Sequence, residues 1–512
     1  SRQGPWPVSS PLAGEVPDKA EAVFFLRRLG DLQGTLRYSA GALTEFELPT
    51  NLSDPANRLV RQFAGEVDLG ALGLAAERPT VAFYHDGRWN LIAHVADAGR
   101  FEKRLIEELS SKHLRVEERS ETTGWRIVAA RQAATLQLRD ELLFVRQAPA
   151  EEPTRKPVLQ RQLDDESAPG WPANDRRADL VSEVATNEAH MVGLTEPGEW
   201  LGGIEARGHA ATLVEKLANQ TGPTALAVSR DGSAHRLAVE IRTLSQSGEP
   251  VALESLGSAD GQLPRLGGLV EPGVLGVVRF SVDPKKVYRL LLSGIRARQR
   301  TRVESFWRQL RQKLLIDGPD AILENLTGHV VLVLYGLDSD SLTNDYAPTR
   351  SIFELKATRE AILVPIKSRK KAERLLDKMT QITKGKLSRQ RGEHTVQYAW
   401  LEEGVLEWAV ILSDEHVLFV DSATSFDKAM RYERSGRALD PSLLEKMSLG
   451  PLLRERNRSG IYLDTATLAN LLAENGHEAS AAWLAPFQSV LLTTEMNGEV
   501  GRARLELELE VP

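Results

Sequence analysis

Apolar and polar positions follow one order of elements twice along the chain, over residues 21–245 and again over 274–511. Each passage opens with a strand-like apolar run, Ala22-Val23-Phe24-Phe25-Leu26 and Val274-Leu275-Gly276-Val277-Val278-Arg279-Phe280. A helical stretch follows in each, and then a pair of strands. The first pair is Thr80–Tyr84 with Trp89–Val95, and the second is Val330–Tyr335 with Glu360–Ile366. After each pair the period changes from 2 to about 3.6, which predicts a charged helix from Asp97 and another from Ser368. Two further strands come next, Trp125–Val128 with Leu142–Val145, and Thr395–Tyr398 with Val417–Val420. Each passage closes on a small helix and strands. About eight elements agree in order with a period near 240 residues, which predicts a duplicated domain and not a solenoid.

Strict alternation in Arg502–Val511 and His235–Arg242 sets apolar side chains on one strand face and charges on the other. This is the pattern of an antiparallel strand with a solvated side. Asp231-Gly232 and Asn497-Gly498 supply hairpin turns. The predicted fold class is therefore α+β: two homologous repeats, each a mainly antiparallel sheet with helices packed on one face. The predicted division is a flexible N-terminal tether (1–18), repeat 1 (19–245), a linker (246–272) and repeat 2 (273–512). Repeat 1 carries a Pro-rich acidic insert at 148–175, with five prolines and the run Asp164-Asp165-Glu166.

Composition narrows the functional classes. The 512 residues are 42% hydrophobic and 26% charged, which is ordinary for a globular chain. No run reaches the roughly 18 apolar residues of a membrane-spanning helix. With no cysteine, the chain has no disulfide, no thiol nucleophile and no Cys-ligated metal. The Pro/Gly/Ser-rich lead from Ser1 to Pro17 has the composition of a tether. An exported protein without its signal, a lipoprotein trimmed of its anchoring cysteine and a truncated chain would all begin this way.

The search for chemistry is mainly negative. There is no phosphate-cradling Gly-rich loop, dinucleotide fingerprint, Gly-x-Ser-x-Gly elbow or His-Glu-x-x-His helix. Asp338–Asp345 offers oxygen ligands but lacks the glycine and distal glutamate of a calcium loop. Adjacent carboxylates such as Glu107-Glu108 and Glu402-Glu403 point apart on a helix or strand. No catalytic, cofactor-binding or metal-ligating residue is assigned, and no cofactor is expected.

Charge adds the one directional signal. The first 260 residues carry 29 Lys+Arg against 38 Asp+Glu, a net −9, whereas the remainder carries 35 against 33, a net +2. Positive charge in the second passage gathers on two predicted helices. One holds Arg296, Arg298, Arg300, Arg302, Arg308, Arg311 and Lys313, with Val303, Phe306, Trp307, Leu310 and Leu314 at helical spacing. The other holds Lys367, Arg369, Lys370, Lys371, Arg374 and Lys378. Its counterpart in the first passage mixes Arg100, Lys103 and Arg104 with Glu102, Glu107 and Glu108. These thirteen cations are the candidate binding residues for an anionic lipid surface or an acidic protein face. Nucleic acid is not expected, because the chain is acidic overall and carries no reader motif.

The phrases Leu91–Val95 and Leu363–Ile366, Gly124-Trp125, and Leu143–Val145 with Leu418–Val420 carry a resemblance. They resemble an uncharacterised bacterial family of exported, internally duplicated proteins known as a domain of unknown function. That resemblance covers most of the chain, implies a periplasmic or cell-envelope location and supplies no catalytic residue. The expected function is a non-enzymatic soluble envelope protein, a binding or scaffold subunit of a larger assembly, lipid-anchored if the lead is a lipoprotein's. The alternatives are a carrier of a lipid or other apolar ligand, and a hydrolase whose site assembles from distant residues.

Overall fold

A computed structural model describes residues 6–7, 10–17, 20–30, 69–85, 87–111, 115–119, 124–129, 132–149, 175–186, 188–196, 221–231, 236–245, 259, 266–271, 273–294, 297–314, 318–337, 358–383, 386–402, 405–435, 449–453, 458–485, 487–497 and 500–509. The chain forms two compact units. The first comprises 1–201 and 221–246 with 511–512, and the second comprises 202–220 and 247–510.

The first unit runs β1 (Ala22–Leu26), β2 (Thr80–His85), β3 (Arg88–His94), α1 (Ala98–Ser111), β4 (Arg115–Arg119), β5 (Gly124–Ala129), β6 (Gln132–Arg139), β7 (Leu142–Pro149), α2 (Asp175–Val184), β8 (Ala189–Thr195), β9 (Thr221–Asp231) and β10 (Arg236–Ser245). Its strands pair antiparallel in the order β4-β5-β6-β7-β3-β2-β1-β8-β9-β10. One sheet face buries Val23, Phe25, Val81, Phe83, Ile92 and Phe144 against Leu180, Val181 and Val184 of α2. On the other face Leu136, Leu138 and Leu143 pack against Phe101 of α1.

The second unit runs β11 (Gly276–Ser281), α3 (Pro284–Gly294), α4 (Ala297–Leu314), α5 (Pro319–Leu323), β12 (His329–Leu337), β13 (Thr358–Pro365), α6 (Arg369–Ile382), β14 (Leu387–Arg391), β15 (Val396–Glu402), β16 (Val405–Leu412), β17 (His416–Val420), α7 (Ala423–Ser435), α8 (Gly450–Leu453), β18 (Arg458–Asp464), α9 (Thr465–Glu474), α10 (Glu478–Leu484), β19 (Phe487–Asn497) and β20 (Val500–Leu509). Its strands pair antiparallel in the order β14-β15-β16-β17-β13-β12-β11-β18-β19-β20. Position for position, this is the pairing order of the first unit.

The expected α+β fold of two homologous repeats, each with helices packed on one face, is nevertheless corrected. Extended antiparallel sheet dominates over helix among the described residues. The helices do not form one layer. In the second unit, Ala409, Ile411, Leu418 and Val420 face α7 and α8. Their neighbours Val410 and Leu412 face α6, and Leu275 and Leu334 face α9 and α10. The physical reason lies in runs such as Ala409-Val410-Ile411-Leu412. They are apolar at every position, so both sheet faces must be covered to remove them from water. The helix pairs α3–α4 and α9–α10 have no described counterpart in the first unit. What recurs is an order of strands, not a sheet with one helical layer.

Two finer expectations are also corrected. Part of the segment expected as a tether, Pro11–Glu15, is a 3-10 turn, and Leu12, Ala13 and Val16 are buried in the first unit's core. Leu12 and Ala13 lie within the turn and Val16 caps its end, and their burial pins this part of the chain. The charged face of β20 is not simply solvated: Glu506 is buried beside Arg504 at 2.6 Å, and Glu508 accepts a hydrogen bond from Ser489. The acidic insert apart from its two ends, Asp338–Asp345, most of the linker, both hairpin glycines and Arg296 lie outside the described residues.

Close strand packing makes one glycine indispensable. A Cβ on Gly460 would lie 2.2 Å from the Leu492 carbonyl oxygen and 2.8 Å from a Leu452 methyl. Gly460→Ala is expected to destabilise the second unit by about 1–3 kcal/mol, read as a lower midpoint in urea unfolding. An unchanged midpoint would contradict this packing.

Candidate anionic-surface interface

The basic face belongs to the second unit and draws its cations from α3, α4 and α6. Helix α6 starts where Ser368 accepts a hydrogen bond from the backbone N–H of Lys371. Ala372, Leu376 and Met379, at helical spacing, pack on Leu387, Val396, Tyr398, Val410 and Leu412. The opposite side is left to Lys370, Lys371 and Arg374, all exposed. Lys378 is half-buried, and Lys367, just before the helix, is exposed.

Not every cation of that run is available. The Arg369 guanidinium donates to Asp414 at 2.6 Å and to the His394 carbonyl at 3.1 Å. It ties the helix start to the loops beneath. Lys370 and Arg374 make no ion pair among the described residues. Arg389 crosses to α6 and binds Glu373 at 2.5 Å and Asp377 at 3.2 Å. Those acids are thereby spent on β14 and do not screen the outer face.

Helix α4 lies against α6. Its Arg308 and Arg311 are exposed, and Trp307 meets Tyr288 of α3 edge-to-face at 6.1 Å. The side chains of Arg298, Arg300, Arg302 and Lys313 lie outside the described set. On α3, Lys285 pairs with Glu324 at 2.8 Å. That hydrogen bond, with the charges of Lys285, Lys371 and Lys367, holds the Glu324 carboxyl below its ordinary range. Sequence spacing had separated these lysines into different elements. The fold gathers them.

Local energetics oppose this arrangement. The first turn of α6 is Arg369, Lys370 and Lys371, with no acid, at the positive end of the helix dipole. Cations there cost about 0.3–1 kcal/mol each when exposed at low salt.

The unit also contains a polar line that the sequence did not reveal. Arg279, buried on β11, donates to the Leu452 carbonyl at 2.6 Å and to Ser281 Oγ at 3.1 Å. Ser281 Oγ lies 3.0 Å from His329 Nδ1. This Ser–His contact is no catalytic pair as it stands. His329 is 0% exposed and Ser281 6%, so no substrate carbonyl reaches the hydroxyl. Alternation in Val277-Val278-Arg279-Phe280-Ser281 could have placed Arg279 and Ser281 on one face, but an arginine in a strand is ordinarily read as solvent-facing.

Tyr398 closes the underside of α6, donating to Asp377 at 2.8 Å. Burial first, then Asp377, holds its hydroxyl above the ordinary tyrosine range. Stability linked to this group is therefore complete below pH about 10 and is lost as pH rises through the folded value. Tyr398→Phe is expected to cost about 1 kcal/mol at pH 7 and to shrink the further loss at pH 11. Equal losses from wild type and variant between those two pH values, in urea unfolding, would contradict the assignment.

Among the described residues no cluster of His, Asp and Glu could hold a metal ion, and no helix is long and apolar enough to cross a membrane. An open groove of about 640 Å³ lies on α1 of the first unit, lined by Ala71, Gly99, Arg100, Lys103, Arg104 and Glu107. Four of these six residues are charged.

No protein-family model matches the chain, and no curated protein does. A solved structure described as crystal form III of TP0453 aligns with 45% of this chain and 78% of its own, at 10% identity and a TM-score of 0.28. At that score the likeness carries no argument about fold or function.

Proposed function

We propose that this protein is a non-catalytic binding subunit of a bacterial cell envelope that docks on an anionic surface through the basic face of its second unit. The observation that carries the reading is the juxtaposition of α4 and α6, with Lys370, Lys371 and Arg374 held outward at the wrong end of a helix dipole. Exposed cations contribute little to folding, so their concentration on one face favours a role in association. The envelope location rests on the family resemblance alone. The groove on α1, with four charged residues among the six that line it, gives no support to a carrier of an apolar ligand.

Cell fractionation tests the reading in the source organism. The wild type is expected with the envelope fraction at low salt and in the soluble fraction at high salt. A variant with Lys370→Glu, Lys371→Glu and Arg374→Glu should be soluble at both. Identical fractionation of the two proteins would overturn the proposal.

A further inference from the structure

Among the described residues large apolar side chains are seldom left open, and two of the exceptions share a strand pair. Phe280 on β11 is 48% exposed and Ile461 on β18 is 36% exposed. Val277 and Arg279 point into the core shared with α8, so Val278 and Phe280 point to the opposite sheet face. Ile461 lies opposite Val278 in the register and shares that face. Leu332 and Val330 stand opposite Val278 and Phe280 on the other side, and Leu492 stands opposite Ile461. These last three are only partly buried. Helices α9 and α10 cover this face near Leu275 and Leu334, while α6 covers it near Val417 and Phe419. Leu332 packs at the edge of the α9–α10 cluster, and from there an apolar strip runs on to Phe280.

The strip ends where the lysines are. Beyond Ser281 the chain turns into α3, and Val282 N–H bonds the Gly328 carbonyl. Lys367 N–H bonds the Asn325 carbonyl, and the Asn325 side chain donates to the Ser368 carbonyl. The start of α3, the end of α5 and the start of α6 therefore meet at the Phe280 end of the sheet. They bring Lys285, Lys286, Lys367, Lys370 and Lys371. Of the acids nearby, Asp283 accepts from the backbone N–H groups at the start of α3, Glu324 binds Lys285 and Asp414 binds Arg369, while the exposed Asp320 of α5 adds a negative charge beside Lys285.

We infer that this end of the second unit is a membrane-contact site, in which Phe280 and Ile461 enter the interfacial layer of an anionic phospholipid bilayer while the surrounding lysines meet its phosphates. The inference rests on the docking reading above and names the surface. Apolar side chains ringed by cations have the chemistry of an interfacial membrane contact. Each lysine near an anionic leaflet adds about 1 kcal/mol of attraction. An acidic protein partner fits less well, because protein interfaces favour arginine and aromatic anchors and are depleted in lysine. Lysine's flexible stem instead follows mobile headgroups and leaves its own methylenes against the apolar layer.

The chain has no cysteine, so Phe280→Cys carrying a polarity-sensitive dye reports from one place. The full chain would be mixed with phosphatidylcholine vesicles, with phosphatidylcholine–phosphatidylglycerol vesicles, and with polyglutamate. The expected result is flotation with the anionic vesicles only, together with a blue shift of the dye. In parallel, Phe280→Ser with Ile461→Ser should weaken anionic-vesicle affinity tenfold or more, with an unchanged thermal midpoint. A dye that stays in water on floated protein would overturn the inference and leave docking intact. Binding to polyglutamate but not to vesicles would replace the membrane by an acidic protein partner. Binding to neither would remove this inference and the docking reading together.

Discussion

Arg279→Ala is expected to lower the stability of the second unit by about 3 kcal/mol or more. The side chain is 1% exposed and supplies two hydrogen bonds, to the Leu452 carbonyl at 2.6 Å and to Ser281 Oγ at 3.1 Å. Truncation leaves a buried carbonyl without its charged donor, which costs about 1–3 kcal/mol. The void left by a large buried side chain adds a comparable amount. Calorimetry should show the midpoint of that unit falling by roughly 6–12 °C. Arg279→Met keeps most of the volume and should lose clearly less, because a buried charge contributes less to stability than its contacts suggest. Equal losses from the two substitutions would mean that the hydrogen bonds alone hold this position and that the filled volume adds nothing.

The second large effect is on association. Lys370→Glu, Lys371→Glu and Arg374→Glu together should weaken binding to an anionic surface by about a hundredfold or more, since attraction of about 1 kcal/mol per cation is lost and replaced by repulsion. Folding should respond in the opposite sense. Lys370→Glu alone puts an acid at the positive end of the α6 dipole and should raise stability slightly, by about 0.3–1 kcal/mol. Weaker binding with equal or greater stability is the signature of residues kept for function. A triple variant that is both less stable and less able to bind would instead place these side chains among the structural contacts.

Many of the strands were legible in the sequence, because a strand depends on local pattern, whereas the order in which they pair was not. The short apolar runs Ala22–Leu26, Val330–Tyr335 and Val417–Val420, with their valines and aromatic residues, read as strands. The disposition of helices was not legible. Which face of β16 meets α6 and which meets α7 is decided by side chains distant in sequence, and Ala409-Val410-Ile411-Leu412 reads the same in either direction. The basic residues were visible as two runs, yet their convergence with Lys285 and Lys286 depends on the turn at Ser281 and the bonds of Asn325. Arg369 could not be told from its neighbours, although its pairing with Asp414 makes it a tie between loops. The exposed Phe280 was hidden for the same reason as the buried Arg279: both sit in one strand-like run, and only the packing of α8 shows which side is the core.

The most direct test of the account is the salt dependence of affinity between the full chain and vesicles containing phosphatidylglycerol, for the wild type and for the Lys370→Glu, Lys371→Glu, Arg374→Glu variant. The account predicts tight binding of the wild type at low salt, a steep fall as ionic strength rises past the physiological range, and weak binding of the variant throughout. Superimposable curves for the two proteins would contradict it.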